Sequence, residues 1–592
     1  MIKGDPVSKI LHIDLSRKRF WVEERPELFE RYLGGVGVGI RLLLEECPKG
    51  VDPLGPENPI IFAVGQLNGL FPVASKTAAL FKSPHTCNLG ESHAGGRSAT
   101  AIRMAGYGAI VIKGSSDIPI YLTITSQEVG FRDASALWGM ATYTTGRVIR
   151  EREPGAGVRT IMRIGPAGER LVTYACVVTE TYRHFGRLGL GAVFGSKKLK
   201  AILIAGRRSL KPENSKLYRE VYKEIFEEIT KSDLMKKYHE LGTPINVSPL
   251  NKLGALPTRN LTSASFEQAE NISGESFAEK HLGRRVACSH CPVSCIHLAA
   301  LREPYVSEPY FYKTRMISYD YEPIYALGSM LGIGFTEGVL KLMDEIETLG
   351  LDAMSTGVAL AWATEMLLKG LIGLEETGGL KLEWGNVEAY VKAARFLVEQ
   401  PTPFYMALAR GVAYASAHYG GKAFALTFGG NEMPGYHTGP AAHLGFLVGS
   451  RHSHLDGAGY SLDENIIKKG GKLTPEEIVE GLLGEEAWRQ ILSSLVVCFF
   501  ARGVYKPETV CKALKVVSYR FTPEDLQRLG LEILKYKLEF KLREGFSFEK
   551  LSFPERVFET LTPQGRLSRG FVEEALKLYG ERVKALMESK SF

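Results

Sequence analysis

The spacing of apolar positions divides the chain into two characters. Over the first ~210 residues they come in short runs bounded by glycine, charge or turn residues, the pattern of strands. Lys9 to Asp14 and Phe20 to Glu24 flank Ser16-Arg17-Lys18 and read as a hairpin; Ile60 to Ala63, Ala109 to Ile112, Ile120 to Thr125 and Thr160 to Arg163 read as further strands. Two glycine-rich stretches, Leu89 to Arg97 and Phe185 to Lys197, read either as tight turns or as connections whose N–H groups can approach a phosphate. From about Lys211 the spacing becomes helical, in Leu217 to Ser232, in Tyr325 to Leu351 with a break at Gly332 or Gly334, and in Gly357 to Gly370. A Gly-, His- and Pro-rich tract from Phe428 to Gly459 leads into more helices. Thr474-Pro475-Glu476-Glu477 and Thr522-Pro523-Glu524-Asp525 carry a capping residue, an N1 proline and an acid at the capping-box position, and Phe571 to Glu588 is amphipathic.

A 65.3 kDa chain exceeds one hydrophobic core, so roughly two to four domains are expected. The net charge of +7, from 73 basic against 66 acidic residues without a basic block, argues against nucleic acid as a partner. No apolar run is long enough for a membrane span, and Met1 to Pro6 has no targeting character, so a cytoplasmic protein is expected. Only seven glutamines hint at a thermophile.

The chemistry centres on the cysteines. Of eight, three form Cys288-x2-Cys291-x3-Cys295, while Cys47, Cys87, Cys176, Cys498 and Cys511 stand singly. Three thiolates at turn spacing plus one remote cysteine suit a [4Fe–4S] cluster, whose irons each take one thiolate. Spacing alone leaves zinc open, since His290 and His297 lie close by, as it does buried structural thiols.

Other motifs extend along the chain: Tyr32-Leu33-Gly34-Gly35, Val51 to Asn58, Ile164-Gly165-Pro166-Ala167-Gly168-Glu169, Gly186-Arg187-x-Gly189-x-Gly191, Tyr321-Glu322, and Gly350-Leu351-Asp352-x-x-Ser355. Together with the cysteines they resemble the aldehyde:ferredoxin oxidoreductase family of tungsten–pterin enzymes. The resemblance implies an α+β fold: a β-rich base over residues 1–210, a helical domain over 211–418 with the cysteine cluster and first pterin motif, and a helical domain over 419–592 with the fourth cysteine. It implies a tungsten (or molybdenum) bis-pyranopterin without a protein ligand to the metal, one [4Fe–4S] cluster on Cys288, Cys291, Cys295 and Cys498, and Mg2+ bridging the pterin phosphates. Cys511 is the fallback fourth ligand.

Lys76 stands where the family has an arginine; His93 and His184 match positions whose carbonyls help hold the Mg2+; Ala94, Gly95, Gly96, Arg183, Gly186 and Arg187 match the phosphate side. The family's D-x-x-G-L-D/C pterin pattern appears first as Glu347 to Asp352, with Glu347, Gly350, Leu351 and Asp352 at the matching positions. The second copy is degraded: Ser493 replaces the acid, Val496 the glycine, and Val497 and Cys498 follow. Glu322 is the expected proton acceptor. The oxyanion donor is expected among the histidines, with His454 ahead of His452 and with His437 (beside His443) as a further candidate. The implied reaction is oxidation of a small aldehyde to its acid, the electrons leaving through the cluster to ferredoxin or a small Fe–S subunit, from a homodimer or a heteromer. An alternative keeps the fold as the tungsten subunit of a heteromer acting on another carbonyl or acyl substrate.

Overall fold

The computed structural model describes residues 6–180, 182–305, 307–308 and 310–589. Met1 to Asp5 of the N-terminal stretch considered for targeting lie outside these residues.

The first 206 residues build two six-stranded mixed sheets. One runs in the order Arg19–Glu24, Lys9–Asp14, Ala109–Lys113, Ile60–Ala63, Thr77–Lys82, Leu89–Ala94; the other His184–Phe185, Val177–Val178, Val158–Arg163, Leu199–Gly206, Ile120–Ile124, Val129–Asp133. Successive side chains of a strand point to opposite faces, and here both faces are used. Ile60, Phe62 and Ile110 share one core with Leu122, Ile202 and Ile204 of the second sheet. Ile61, Ala63, Leu80 and Val111 face the other way, into a core with the helix Gly35–Glu46 and the C-terminal helices. That second packing needs close approach: a Cβ on Gly35 would lie 2.2 Å from the Ser493 carbonyl oxygen, so this position joins the base to the helix Pro475–Ser494 at van der Waals limit.

Both glycine-rich stretches carry more regular structure than turns alone would. Leu89–Ala94 is the edge strand of the first sheet, and Leu190–Ser196 is a helix. Pairing with Thr77–Lys82 outweighs the low strand propensity of glycine there.

The rest is mainly helical, with one correction. The cysteine motif lies not on a loop among helices but between strands Leu282–Val286 and Ile296–Pro304 of a three-stranded antiparallel sheet closed by Tyr312–Tyr319. The cysteines occupy the turn, and the apolar stretch after Cys295 supplies the buried Ile296, Leu298 and Ala299 of the central strand. The break expected near Gly332 is real: Tyr321–Leu327 and Thr336–Leu349 are separate helices. Together with the short turn Ser329–Leu331 they form a bent pair at 113°, and among the described residues no single helix is long and apolar enough to cross a membrane. The Gly/His/Pro tract holds a helix, Pro440–Val448, that its composition hides. Both capping boxes are present, the second with Asp525 doing the work of Glu.

Candidate active site and metal centre

Four remote segments meet at the cysteines through backbone hydrogen bonds. Val73 N–H donates to the His290 carbonyl (3.0 Å), Cys498 N–H donates to the Val73 carbonyl (3.0 Å), Lys76 N–H to that of Val496 (3.0 Å), and Ser289 N–H to that of Gly96 (2.9 Å). One residue of the β base, Val73, thus ties the Cys288–Cys295 turn to the segment carrying Cys498. Cys511 sits instead on the helix Pro507–Val516, where its charged neighbours are Glu508, Glu524 and Asp525. Burial pushes the Cys291 thiol up to about 12, with the Cys288 and Cys498 thiols adding to the effect; burial and then Cys498 raise Cys295 as well. Ligation by a metal would require these thiols to lose their protons. Among the described residues no three His, Cys, Asp or Glu groups gather as a single ion needs, and both ring nitrogens of His297 face carbonyls, of Cys295 (3.1 Å) and His239 (3.0 Å). With its ring nitrogens so engaged, His297 is turned away from the cysteine thiols.

Two cations and a missing side chain shape the base side of this centre. Burial works to lower the Lys76 ammonium pKa, but Cys498 and Cys288 outweigh it and the net shift is upward. Lys76 therefore stands beside the cysteine thiols. A Cβ on Gly95 would lie 2.9 Å from Cys288 Sγ and 3.4 Å from Lys76 Nζ, so any larger residue would intrude on the thiol. Arg183 donates to Asp320 Oδ2 (2.6 Å) and Ser318 Oγ (3.3 Å), while its Nε is buried without a partner. Asp320 directly precedes the helix bearing Glu322, so Arg183 links the cysteine side to the next cluster of side chains. Gly96 takes φ +98°, Ala94 ends its strand, and a Cβ on Gly186 would meet His184 Cβ at 3.8 Å, an ordinary contact.

The two segments expected to carry the pterin pattern share one backbone feature, a left-handed residue just after a helix. In the first, Gly350 closes the helix Thr336–Leu349 at φ +78°, Leu351 pairs with Ala175, and the Asp352 carboxylate caps the helix Ala353–Leu368 by accepting from Met354 N–H (3.0 Å). Arg187 Nε lies 3.3 Å from Asp352 Oδ2, and Arg187 Nη2 donates to the Glu432 carbonyl (2.7 Å); its Nη1 is buried and unpaired. Glu347 is held by His184 Nε2 at 2.8 Å, and His93 by Glu91 at 2.8 Å. In the second copy Val496 keeps the left-handed backbone, φ +54°, without the glycine that suits it. Val73 shares this conformation at φ +58°, and so do His290 (+56°) and Ser294 (+53°) in the cysteine turn. Strain of about 1–3 kcal/mol per such residue concentrates where a site over-determines its backbone. Val496 and Val497 are both buried, but only Val496 has positive φ. Val496→Gly should therefore lower the apparent Tm much less than Val497→Gly, because relief of roughly 1–2 kcal/mol of strain offsets the lost packing; equal shifts in a thermal melt would refute the strain.

Glu322 occupies the first turn of the helix Tyr321–Leu327. Its Oε1 accepts from Tyr436 O–H (3.0 Å) and lies 3.1 Å from His454 Nε2, and the backbone N–H of Glu322 adds to the hydrogen bonds on the carboxylate. Burial works to raise the Glu322 pKa, but His454 and then Tyr436 outweigh it and hold it below its ordinary value. With Nε2–H directed at Glu322, the Nδ1 of His454 is left buried and unpaired. Tyr321, Tyr436 and Tyr460 wall this pair: the Tyr436 ring stands 5.1 Å from His454, 4.4 Å from Tyr460 and 5.2 Å from Tyr321.

The other two histidines are engaged elsewhere. His452 Nδ1 donates to the Leu447 carbonyl (2.9 Å) and its Nε2 accepts from Lys541 (2.9 Å). His437 lies between His443 Nε2 (2.8 Å) and the Thr560 carbonyl (3.2 Å). The loop presenting His454 is folded by Asp456, whose Oδ2 accepts from the N–H groups of Arg451 and Ser453 (both 3.0 Å). Tyr436, Tyr460, Asp456 and the buried His85–Glu432 pair (2.8 Å) escaped the sequence reading, since none lies in a spacing that marks a site.

Comparison with known proteins follows the whole chain. A family profile described as "Aldehyde ferredoxin oxidoreductase, N-terminal domain" matches residues 10–206, and one described as "Aldehyde ferredoxin oxidoreductase, domains 2 & 3" matches 220–582. The "Tungsten-containing aldehyde ferredoxin oxidoreductase" of Thermococcus kodakarensis is 31% identical over 576 residues, 94% of this chain and 92% of that protein. The protein of the same name from Pyrococcus furiosus matches at the same identity and extent. The "Aliphatic sulfonate oxidoreductase, WOR-like subunit" of Pyrococcus furiosus is 31% identical over 418 residues, 66% of this chain and 64% of that one. Among solved structures, "Active site complex BamBC of Benzoyl Coenzyme A reductase in complex with 1,5 Dienoyl-CoA" superposes with a TM-score of 0.80 at 20% identity, covering 98% of this chain and 95% of that one, a likeness of fold alone.

Proposed function

Since this chain belongs to the aldehyde ferredoxin oxidoreductase family and is an oxidoreductase of that kind, we propose that it oxidises a small aldehyde to its carboxylic acid at a tungsten–pterin site beside Glu322 and His454. The observation that carries this reading is the Glu322–His454–Tyr436 constellation, with one imidazole nitrogen left buried and unpaired. The buried, unpaired Arg187 Nη1 and Arg183 Nε fit a phosphate-bearing cofactor, for which Arg187, Arg183, Gly95, Gly96 and Gly186 would form the phosphate side. The main chain of His93 and His184 would help to hold Mg2+ there. Glu347, Asp352 and the open hydroxyl of Ser493 would meet the pterin rings. When bound, the tungsten cofactor supplies Lewis acidity and accepts the electron pair.

The balance is RCHO + H2O → RCOOH + 2H+ + 2e−. Glu322, ionised at neutral pH, takes the proton of the attacking water on Oε2 while Tyr436 and His454 fix Oε1. With Nε2–H held by Glu322, His454 in its imidazolium form would donate Nδ1–H to the developing negative charge. Tyr321, Tyr436 and Tyr460 exclude water and give the aldehyde an apolar seat. Cys288, Cys291, Cys295 and Cys498 would hold the [4Fe–4S] cluster, with Lys76 and Arg183 offsetting its charge, and electrons leave to ferredoxin or to a dedicated Fe–S subunit. The reading of the chain as a catalytic subunit for another carbonyl or acyl substrate is favoured by one feature, the loss of acid and glycine at Ser493 and Val496.

Anaerobically purified protein should carry about one tungsten and four irons per chain, with an EPR signal on reduction, and should reduce a viologen dye with aldehydes. Zinc in place of iron and tungsten would overturn the proposal.

A further inference from the structure

We propose that the buried His85–Glu432 pair is a proton relay between the cofactor side of the site and a separate cavity at the surface. That cavity, of about 770 Å3, opens between the base and the helix Val412–Tyr419, with Cys87, Thr173, Met406, Arg410 and Tyr414 among its lining residues. Thr173 Oγ1 stands 2.9 Å from His85 Nδ1, and His85 Nε2 stands 2.8 Å from Glu432 Oε2. The Ser355 hydroxyl lies within reach of the Glu432 carboxylate and donates to Asp352 Oδ2 (2.6 Å). Asp352 Oδ2 in turn lies 3.3 Å from Arg187 Nε. Side chains that each take and give a proton thus run from the cavity to Asp352. Asp352 is one of the residues that would meet the cofactor, so this inference rests on the function proposed above.

A buried ion pair is a poor device for stability, because desolvation offsets its attraction. The His85 and Glu432 side chains are 1% and 0% exposed, so bulk solvent reaches neither and a proton crosses this layer only along side chains. Tyr174 and Tyr325 also face the pair but stay protonated, since burial pushes both phenols up; Arg187 and Asp352 are the other charged groups acting on Glu432. A Cβ on Gly411 would lie 2.4 Å from His85 Cε1, so glycine at this position leaves the ring space to turn. Aldehyde oxidation releases two protons, and Glu322 receives one. For the other, His85 in its imidazolium form first gives its Nδ1 proton to Thr173 Oγ1 as the Thr173 hydroxyl proton passes to solvent in the cavity. A half-turn then presents the bare ring nitrogen to Glu432. The proton arriving on Asp352 moves to Ser355 Oγ, and the Ser355 hydroxyl proton moves through Glu432 to the ring, restoring the imidazolium. One proton enters at Asp352 and one leaves at Thr173.

Thr173→Val removes the outer hydroxyl and keeps the shape of the wall. In the full-length holoprotein without aldehyde, the His85 ring N–H is followed by nuclear magnetic resonance, its signal identified by its absence from His85→Gln. Its exchange with water should be fast in the wild type, and that fast exchange should be lost in Thr173→Val. During turnover in dilute buffer, His85→Gln should lower kcat by about 10²-fold, the low end for a lost proton-transfer group, with KM unchanged. Its amide still bridges Thr173 and Glu432 but passes no proton. His85→Ala should regain activity on addition of imidazole, which enters from the cavity, whereas imidazole should not help Thr173→Val. Ring exchange unchanged in Thr173→Val, a kcat indifferent to both His85 substitutions, or His85→Ala without rescue would each overturn the relay. If the wild type oxidises no aldehyde, the proposed function falls and the exchange measurement still decides the relay. Unchanged far-ultraviolet circular dichroism of the variants separates loss of proton passage from loss of fold.

Discussion

Glu322→Gln should lower kcat by about 10²- to 10⁴-fold in viologen-coupled aldehyde oxidation, the range of a lost general base, with little change in KM. The amide is isosteric, and its oxygen can still accept from Tyr436 and His454, so the pocket keeps its shape. What disappears is the acceptor at the second position. The pH dependence gives a second test with a definite sign. His454 and Tyr436 hold the Glu322 pKa below its ordinary 4.5, so the base is ionised across the neutral range, and wild-type kcat/KM should fall only as pH drops through that depressed value. The same shift makes the ionised pair stabilising above the unfolded-state pKa and lost below the folded one. The variant should lack this acid limb. Activity retained within a few fold, or an unchanged acid limb, would remove Glu322 from the mechanism.

Cys498→Ser should abolish the EPR signal of the reduced cluster and lower the iron content well below the approximately four atoms expected of an intact cubane, with ferredoxin reduction lost. Cys511→Ser should leave both unchanged. The contrast rests on place: Cys498 N–H is tied through Val73 to the carbonyl of His290 in the cysteine turn, whereas Cys511 belongs to another helix. If Cys511→Ser removed the iron instead, the assignment of the fourth ligand would be reversed. Serine is close in size to cysteine, so an effect confined to iron and electron transfer, with the far-ultraviolet spectrum intact, marks ligation rather than folding.

The two variants probe residues that the sequence reveals to different degrees. Cys288, Cys291 and Cys295 announce themselves, because a turn-spaced triplet needs no tertiary information to converge. The same holds for the Thr474 and Thr522 capping boxes and for the hairpin of Lys9–Asp14 with Arg19–Glu24, whose hydrogen bonds are local in sequence. Glu322 was legible through its motif. Its partners were less so: three histidines in one tract, His437, His452 and His454, look alike in composition. The choice among them depends on which ring turns toward a carboxylate more than a hundred positions earlier. The Asp456 carboxylate settles that by folding the loop, and the Lys541 and His443 contacts occupy the other two rings.

What the sequence determined by itself is the N-terminal hairpin and the apolar strands of the base, the capped helix starts, the cysteine triplet and, through its motifs, the family. The strands flanking that triplet, the meeting of Val73 with Cys498, the left-handed Val496 and the tyrosine walls around Glu322 were decided only by the tertiary structure. The physical reason is separation along the chain. Apart from the hairpin around the triplet, each of these rests on a backbone bond or ring contact between residues far apart in sequence, whose entropic cost is met by the packing of the base against the helices and not by any local preference.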